Sequence, residues 1–376
     1  MRKPLISLLL ALLLAFSGVV CAGAANAPLV LGYCESDPYV EFDIQLYYLL
    51  LGMEEYGLIG GVAEQINSNM TALEMWTLIS NINDPSWKIH FSGDVYVSLI
   101  DQAYSSLTNP EQNALIDSMI TTAQVDLMLT MGTSAGLAIA ELESATPLVN
   151  FVAADPFKSG IVAGTETSGI ANRWAHVDVD AFGRTIQVMD DIFSPTSVGV
   201  VYANNNEAYI YSGADVLDQF CRERGITVHK QYVEDEFDEG AYNLYVQQLH
   251  DAHDALSSSI DVFILTTSLL EAEDYAYVLD PLFDAGIPVY SINSSYDVEC
   301  GALLAAEASD FPNIGRFGAD TLLRYIQGAS LDSLPQIYQT APFLVINYDT
   351  ARRIGYQPGF DMLLSASTIY VNQADE

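Results

Sequence analysis

The chain has 376 residues, of which 50% are hydrophobic and 11% aromatic, so it can bury a sizeable core and lacks the composition of a disordered protein. Its 49 Asp and Glu residues outnumber its 13 Lys and Arg residues, which gives a formal net charge of −36. This scarcity of basic residues argues against a nucleic-acid partner, because phosphate binding requires clustered Lys and Arg. The length is suited to two α/β domains of ordinary size.

The first residues have the pattern of an export signal. Two basic residues precede an apolar stretch from Leu5 to Val20, and small residues follow at 21–27. We expect cleavage after Ala24, so that residues 1–24 form a signal peptide. Lipid attachment at Cys21 and an uncleaved membrane anchor are the alternatives. Each of these predicts a chain outside the cytoplasmic membrane, in the periplasm or at the cell surface.

Four cysteines are present, at positions 21, 34, 221 and 300. Removal of Cys21 with the signal would leave an odd number, and the chain has no C-x-x-C motif. Both facts argue against a disulfide framework and against a zinc or redox site. We expect buried free thiols.

Strands and helices alternate in the first half of the chain. Apolar runs predict strands at 29–33, 87–93, 125–131 and 147–154. Helices are predicted around 41–57, 109–122 and 135–143. Unbroken apolar strands between helices are typical of a parallel sheet that is covered on both faces.

The same alternation begins again at Ser197. Strands are predicted at 197–203, 226–233, 261–267 and 287–293, and helices end near Arg224, Leu256 and Ala285. The segments 125–151 and 261–293 share one plan: an Asp near the strand start, an apolar strand, a Thr/Ser step into a helix, and a proline-led strand. We therefore predict two doubly wound parallel-sheet domains, whose matching loops face each other across a cleft.

Several segments, in the same order along the chain, resemble those of one family, the extracytoplasmic substrate-binding proteins of ABC transporters with the type I periplasmic-binding fold. The resemblance is to the group of that family that includes tryptophan and tyrosine binders. These segments are 126–140, 147–156, 167–169, 194–207, 286–291, 315–328 and 335–358. They cover most of residues 125–358, whereas 58–120 match poorly. The resemblance implies two lobes joined by a multi-segment hinge.

The expected lobes are discontinuous in sequence. The first should comprise 28–157 and about 294–330, and the second 158–293 and about 335–376. The chain should cross between them near 156–160, 290–300 and 330–340.

The stretch Gly132-Thr133-Ser134-Ala135-Gly136 is a G-x-S-x-G placed where a strand enters a helix. A hydrolase elbow with this motif needs an acid and then a histidine downstream, but no histidine follows residue 253. We therefore favour a helix N-terminus, at which Gly132, Thr133 and Ser134 bind a carboxylate or hydroxyl group of a ligand. A simple helix cap at Ser134 is the alternative.

Further candidate ligand-binding residues follow other strands. In the first lobe they are Tyr33, Asp37, Tyr39 and Asp155, and in the second Tyr202, Asn204, Asn205, Thr267, Ser268, Asn293 and Tyr296. Their hydroxyl and amide groups suit polar ligands, although each could instead be structural. Where the resembled group carries an acidic residue after the central strand of the second domain, this chain has Thr266-Thr267-Ser268-Leu269. A ligand amine is then expected at Asp155 or Asp37.

The sequence lacks the motifs of several other functions. No Walker A, G-x-G-x-x-G or H-E-x-x-H is present, and His250 and His253 are interpreted as a solvated helix face rather than a metal site. We expect no enzyme, no cofactor and no metal. The resemblance instead implies a protein that captures a small molecule for a membrane permease. The helix start at Thr133 and Ser134 favours an amino acid or related carboxylate as the ligand, and the tyrosine-rich cleft edges favour an aromatic one. A sugar or nucleoside ligand and an extracytoplasmic sensor domain are the alternatives.

Overall fold

The structure, a computed structural model, describes residues 27–234, 241–266, 270–307 and 309–371. The predicted signal peptide with Cys21, and the candidates Thr267 and Ser268, lie outside the described residues. The described part of the chain folds into two α/β lobes, each built on its own sheet. None of the helices in these ranges combines the length and the apolar character needed to span a bilayer.

The first lobe is built on a five-stranded sheet. Its strands are β1 (Leu29–Glu35), β2 (Ile89–Ser98), β3 (Leu127–Met131), β4 (Leu148–Phe151) and β5 (Arg173–Ala175). They are all parallel, in the order β2-β1-β3-β4-β5. The helices between them are α1 (Val40–Glu55), α2 (Ala72–Ser80), α3 (Gln102–Ser105), α4 (Asn109–Ala123), α5 (Thr133–Ala140) and α6 (Pro156–Ser159).

The second lobe is built on a seven-stranded sheet. Its strands are β6 (Ser197–Ala203), β7 (Thr227–Val233), β8 (Val262–Leu265), β9 (Val289–Ser291), β10 (Leu304–Glu307), β11 (Phe343–Asn347) and β12 (Ala366–Tyr370). Their order is β12-β11-β10-β9-β8-β6-β7, and only the β10–β11 pair is antiparallel among the described strands.

The remaining helices follow the second half of the chain. They are α7 (Ala181–Phe193), α8 (Asn206–Tyr211), α9 (Ala214–Arg224), α10 (Ala241–Ser257), α11 (Tyr275–Asp284), α12 (Ser295–Glu299), α13 (Phe311–Ile326), α14 (Tyr348–Ile354) and α15 (Phe360–Ser365). Short 3₁₀ turns lie at Ala272–Asp274 and Leu331–Ser333. Each sheet has a buried apolar cluster on both of its faces, which confirms the predicted α/β class.

The segment 58–120, which departs from the family pattern, is an integral part of the first lobe. Thr71 and Glu74 form a capping box that begins α2. Trp76 and Trp87 are buried and each packs edge-on against Phe91 of β2. This segment therefore supplies α2, α3, most of α4, an edge strand and a large share of one core cluster.

The lobe boundaries lie at other residues than the predicted ones. Arg173–Ala175 pairs with β4, so residues 158–175 belong to the first lobe, and β10 pairs with β9, so the chain stays in the second lobe until about residue 307. The chain then returns, since α13 packs against α1, and it leaves again before β11. The crossings lie near 176–181, 307–311 and 338–343. The third crossing lies close to its predicted position. The first two lie later in the chain than predicted, because the short strands β5 and β10 still belong to the sheet of the lobe that the chain is about to leave.

The free cysteines are Cys34, Cys221 and Cys300 within the described residues. Cys34 and Cys221 are buried, and Cys300 is half-buried. Burial raises the pKa of the Cys221 thiol to about 11, which keeps it protonated and unreactive. The prediction of free thiols is confirmed.

Helices α1 and α13 pack against each other with almost no side chain between them at one point. A Cβ atom placed on Gly315 would lie 2.5 Å from the backbone carbonyl oxygen of Tyr48, and one on Gly52 would lie 2.9 Å from the carbonyl oxygen of Gly315. Backbone atoms cannot move aside as a flexible side chain can. Glycine at these positions therefore allows α13 to pack closely on the first lobe.

We expect Gly315→Ala to lower the free energy of unfolding by about 1–3 kcal/mol, because the added methyl group overpacks the α1–α13 contact. Urea unfolding followed by circular dichroism measures this. Gly359→Ala is the control, since a Cβ there meets no atom within 4 Å. Equal stability of the two variants would contradict the packing argument.

Candidate functional site

A cavity of about 610 Å³ lies between the two lobes. Its walls come from the segments that follow β1, β3 and β4 in the first lobe and β6, β8 and β9 in the second. These are the carboxyl ends of parallel strands, where doubly wound α/β sheets bind ligands. Volume and position are those of a small-molecule site.

The N-terminus of α5 forms one wall. Gly132 precedes the helix with φ = +88°, a backbone conformation that favours glycine. A Cβ at this position would also lie only 2.5 Å from Ser36 Oγ, so the packing requires glycine as well. Ser36 Oγ accepts a hydrogen bond from the Ala135 N–H at 3.1 Å. The N–H groups of Thr133 and Ser134, as the first of the helix, have no intrahelical partner. This wall therefore attracts an anionic or strongly polar oxygen.

Carboxylates lie on the same lobe. Asp37 and Glu41 both line the cavity, and Glu41 is buried. Burial raises the pKa of Asp37 to about 6, and within the described residues its carboxylate has no hydrogen bond or ion pair. A third carboxylate, Asp178, is neutralised by a bidentate pair with Arg184, at 2.7 Å to each oxygen. Asp37 is therefore a negative group without a counter-charge.

Gln45 is fully buried and lies one turn after Glu41 on α1. Neither its amide nitrogen nor its amide oxygen has a hydrogen-bond partner in the described part of the chain. Because buried amides are nearly always hydrogen-bonded, this arrangement points to a partner supplied by a ligand. The amide can donate and accept at once.

The second lobe contributes mostly neutral groups. Tyr202, Thr266 and Asn293 line the cavity, and Thr266 Oγ1 donates to the carbonyl oxygen of Val201 at 3.0 Å. His176 and His253 are also lining residues, and burial lowers the pKa of both. No Lys or Arg is found among the described lining residues. The cavity is therefore acidic, with a helix N-terminus as its main positive feature.

Two contacts bridge the lobes. The Tyr39 hydroxyl lies 3.0 Å from Asn293 Nδ2 and 3.3 Å from Asn293 Oδ1. Lys158 of α6 forms an ion pair with Asp215 of α9 at 2.9 Å. These contacts hold the lobes together around the cavity.

Asn293 is positioned by a buried polar network. Ser291 Oγ accepts hydrogen bonds from the backbone N–H groups of Asn293 and Ser294, and donates to Asp297 at 2.5 Å. Tyr275 also donates to Asp297, at 2.6 Å. Asp297 is 1% exposed, and burial raises its pKa. The network fixes the turn after β9 and therefore the direction of the Asn293 amide.

The structure brings half of the predicted site residues together at the cavity. These are Asp37, Tyr39, Gly132, Thr133, Ser134, Tyr202 and Asn293. Their roles as ligand contacts remain predictions. Six of them follow strands whose carboxyl ends face the gap, and Tyr202 is the last residue but one of β6. Their positions at strand ends explain why the sequence pattern predicts them.

Five other predicted site residues do not line the cavity. Tyr33 is fully buried and stacks on Tyr96, with ring centroids 5.0 Å apart. Asp155 caps α6 through the N–H groups of Phe157 and Lys158.

The remaining three lie in the second lobe. Asn205 caps α8, the exposed Asn204 borders a different, shallower depression, and Tyr296 packs edge-on against Tyr275. The side chains of these five residues cap helices, pack in the core or lie on the surface. Whether a residue at a strand end lines the cavity depends on the direction of its side chain, which the sequence does not give.

Several lining residues are not predicted from the sequence, notably Ser36, Glu41, Gln45, His176, Asp178 and His253. One signal was available: Glu41 and Gln45 are polar residues one helical turn apart on the otherwise apolar, buried face of α1. His253 was assigned to a solvated face, but it is 1% exposed and packs edge-on against Phe263 at 4.4 Å. No group of metal-binding side chains occurs in the described ranges.

A buried carboxylate supports the loop that carries Ser36 and Asp37. Glu35, the last residue of β1, is 2% exposed and accepts hydrogen bonds from Tyr33 at 3.0 Å and Tyr96 at 2.7 Å. Burial raises its pKa to about 7, although the two tyrosines lower it. Burial likewise raises the pKa of Asp43 to about 6. The first lobe therefore carries several acids that hold their protons more tightly when folded.

A comparison with protein-family models gives a match over most of the chain. The model described as "ABC transporter substrate binding protein" matches residues 97–368. No curated protein matches the sequence.

Solved structures with a similar fold include binding proteins for different ligands. An ABC domain from Streptococcus pneumoniae in complex with L-Trp is 16% identical, with a TM-score of 0.66, covering 92% of this chain and 100% of that one. A ligand-free, open substrate-binding protein with adhesive properties from Clostridium difficile is 18% identical, with a TM-score of 0.60 and coverage of 90% and 98%. A carbohydrate transporter from Acidothermus cellulolyticus with myo-inositol is 14% identical, with a TM-score of 0.50 and coverage of 87% and 97%. At these identities the likeness shows the fold alone.

We expect the free energy of unfolding to fall as the pH rises through the interval between the ordinary pKa of Glu35, 4.5, and its folded value of about 7. The folded state binds this proton more tightly, so the stability is greatest below 4.5 and the loss is complete above 7. Glu35→Gln should remove up to about 3 kcal/mol of this pH dependence.

Urea unfolding at several pH values from 4.5 to 8 measures the effect. Glu64→Gln, at an exposed position, is the control for the change in net charge. Parallel stability curves for Glu35→Gln and the native protein would contradict the assignment.

Proposed function

Because the chain belongs to the family of ABC transporter substrate-binding proteins, we propose that it is the extracytoplasmic solute-binding component of an ABC importer. It captures a small molecule between its lobes and delivers it to a membrane permease. No bond is made or broken: a ligand that contacts both lobes stabilises the closed arrangement by its differential affinity for that state. Two lobes with separate cores, joined by three crossings and in contact through Tyr39 and Asn293, support this mechanism.

The ligand that fits best is an amino acid or a related zwitterion. The observation that carries this proposal is the pairing, in one cavity, of a helix N-terminus with a carboxylate that lacks a counter-charge. The N–H groups of Thr133 and Ser134 suit a ligand carboxylate, and Asp37 suits a ligand amine. A neutral ligand would leave the half-buried Asp37 without a counter-charge.

A sugar or nucleoside is the second candidate ligand. Gln45, Tyr202 and Asn293 offer donors and acceptors together, as hydroxyl-rich molecules require. Under this alternative the α5 N-terminus binds a hydroxyl group. An extracytoplasmic sensor with the same fold would bind its signal at the same cleft, and neighbouring permease and ATPase genes would favour transport over sensing.

Thermal unfolding of the chain from about Ala25, with panels of amino acids, sugars and nucleosides, tests the proposal. A ligand at a hundredfold excess over its Kd should stabilise the protein by about 2.7 kcal/mol. We expect the stabilising ligands to be amino acids. Stabilisation by sugars or nucleosides alone would support the second candidate, and no stabilisation by any small molecule would contradict the binding function.

Asp37→Asn tests the zwitterion directly, because it removes the negative charge and keeps the size. We expect the affinity for the stabilising amino acid to fall about 10–100-fold, the usual loss for a buried charge-assisted hydrogen bond. Asp94→Asn, an exposed position in the same lobe, should leave the affinity unchanged. Isothermal titration calorimetry measures both, and an unchanged Kd for Asp37→Asn would reject Asp37 as the amine partner.

Tyr39→Phe should weaken ligand binding about fivefold, because it removes the neutral hydrogen bond that bridges the lobes and keeps the ring. Asp215→Asn should change the Kd less, because the Lys158 side chain is 45% exposed and exposed ion pairs contribute little. Small-angle X-ray scattering of the ligand-free variants should show a larger radius of gyration for Tyr39→Phe. A smaller effect of Tyr39→Phe than of Asp215→Asn would contradict this ranking.

A further inference from the structure

Helices α1 and α13 run side by side in the same general direction. A Cβ placed on Gly315 would lie 2.5 Å from the carbonyl oxygen of Tyr48. One placed on Gly52, a turn later in α1, would lie 3.1 Å from the Cβ of Ala319, a turn later in α13. The contact therefore advances toward the carboxyl ends of both helices together, and their first turns lie next to each other.

The cavity reaches the space between these first turns. Its walls there are mostly apolar and are formed by Phe42 and Gln45 on α1 and by Phe311 and Ile314 on α13. Phe42 and Ile314 also belong to the core of the first lobe, so these walls are held by packed side chains. We call this part of the cavity the α1–α13 recess.

Gln45 is the polar side chain of the α1–α13 recess. It is fully buried, and both polar atoms of its amide lack a hydrogen-bond partner in the described part of the chain. Buried amides are hydrogen-bonded in nearly all folded proteins, and an unsatisfied one is costly. A ligand group that completes this amide must donate one hydrogen bond and accept another at neighbouring points.

Few ligand groups meet both demands. A carboxylate only accepts and an ammonium group only donates, and a single hydroxyl group cannot make both bonds with near-linear geometry. A carboxamide presents its donor and its acceptor side by side. One residue of an extended peptide does the same, because its N–H and C=O groups point in the same direction. The group that fits Gln45 is therefore an amide.

We propose that Gln45 recognises an amide group of the ligand, so that the captured molecule is an amide-bearing zwitterion. The amide has two possible sources: the side chain of glutamine or asparagine, and the peptide bond of a dipeptide. The inference rests on the proposed function and names its ligand class. Asp37 and the α5 N-terminus bind the charged groups, and the α1–α13 recess holds the amide.

Two matched pairs of ligands test the inference by calorimetry with the full chain. L-Glutamine is compared with L-methionine, and glycylglycine with 5-aminopentanoate, so that the members of a pair have similar length and only one has an amide. We expect the amide-bearing member of at least one pair to bind about 10-fold or more tightly than the other. A preference in the first pair identifies a side-chain carboxamide as the source, and one in the second pair a peptide bond.

Gln45→Met keeps the length of the side chain and removes its donor and its acceptor. The preference should then fall below about threefold. The ligand-free variant should unfold at a higher temperature than the native protein, because an apolar side chain replaces a buried amide that has no partner in the described residues. Gln327→Met, at an exposed position at the end of α13, is the matched control and should change neither property.

The outcomes separate this inference from the proposed function. Equal affinities within both pairs, or a preference that survives in Gln45→Met, would overturn the role of Gln45. A lower unfolding temperature of ligand-free Gln45→Met would show that the amide has a structural partner, and would overturn it as well. Binding of other small molecules, with no binding of these four, would overturn the inference and leave the proposed function standing. Absence of binding to every molecule in the thermal panel would reject both.

Discussion

Both sheets turn the carboxyl ends of their parallel strands toward one shared gap, and the other features of the molecule depend on that arrangement. Each lobe has a core on both faces of its sheet, so neither needs the other to bury its apolar surface. The gap between them is consequently lined by loops and helix starts instead of by a continuous core. A molecule placed there contacts both lobes at once.

The polar groups around the cavity are poorly matched to one another. The Asp37 carboxylate, the Gln45 amide and His253 Nε2 lack partners in the described residues, whereas polar groups a few residues away are fully engaged. The Ser291–Asp297–Tyr275 network and the Glu35–Tyr33–Tyr96 network are examples of the second kind. Networks that fix the loops are satisfied within the protein, whereas these three groups at the cavity have no partner in the described residues. This division is what a binding site requires, because unsatisfied groups favour the bound state.

The two lobes line the cavity with different kinds of side chain. The α5 N-terminus and the Asp37 carboxylate, which are electrostatically opposite, both line the cavity from the first lobe. The second lobe adds neutral side chains and, between α10 and its sheet, an apolar extension. A ligand with charged groups at one end and an apolar group at the other would contact both lobes, and would therefore favour closure.

The sequence by itself determined the fold class, the family, and the strand ends at which the site lies. Periodicity and turn residues are local, so β6 and β7 and helices such as α4 and α10 could be placed to within a residue or two from the printed letters. The motif at Gly132–Ser134 was located for the same reason, since its glycine and helix start are local features.

The tertiary structure decided which side chains reach the cavity and where the chain changes lobes. Tyr33 lies in β1 and Asp37 lies four residues later, in the loop after that strand, yet the first is buried in the core and the second lines the cavity. Short strands such as β5 and β10 belong to sheets whose other members are distant in sequence, so only their pairing shows the lobe to which they belong. Gln45 and His253 stand out because they are buried with polar atoms that lack a hydrogen-bond partner in the described residues. Burial and hydrogen bonding depend on the packed molecule and cannot be inferred from neighbouring residues in the sequence.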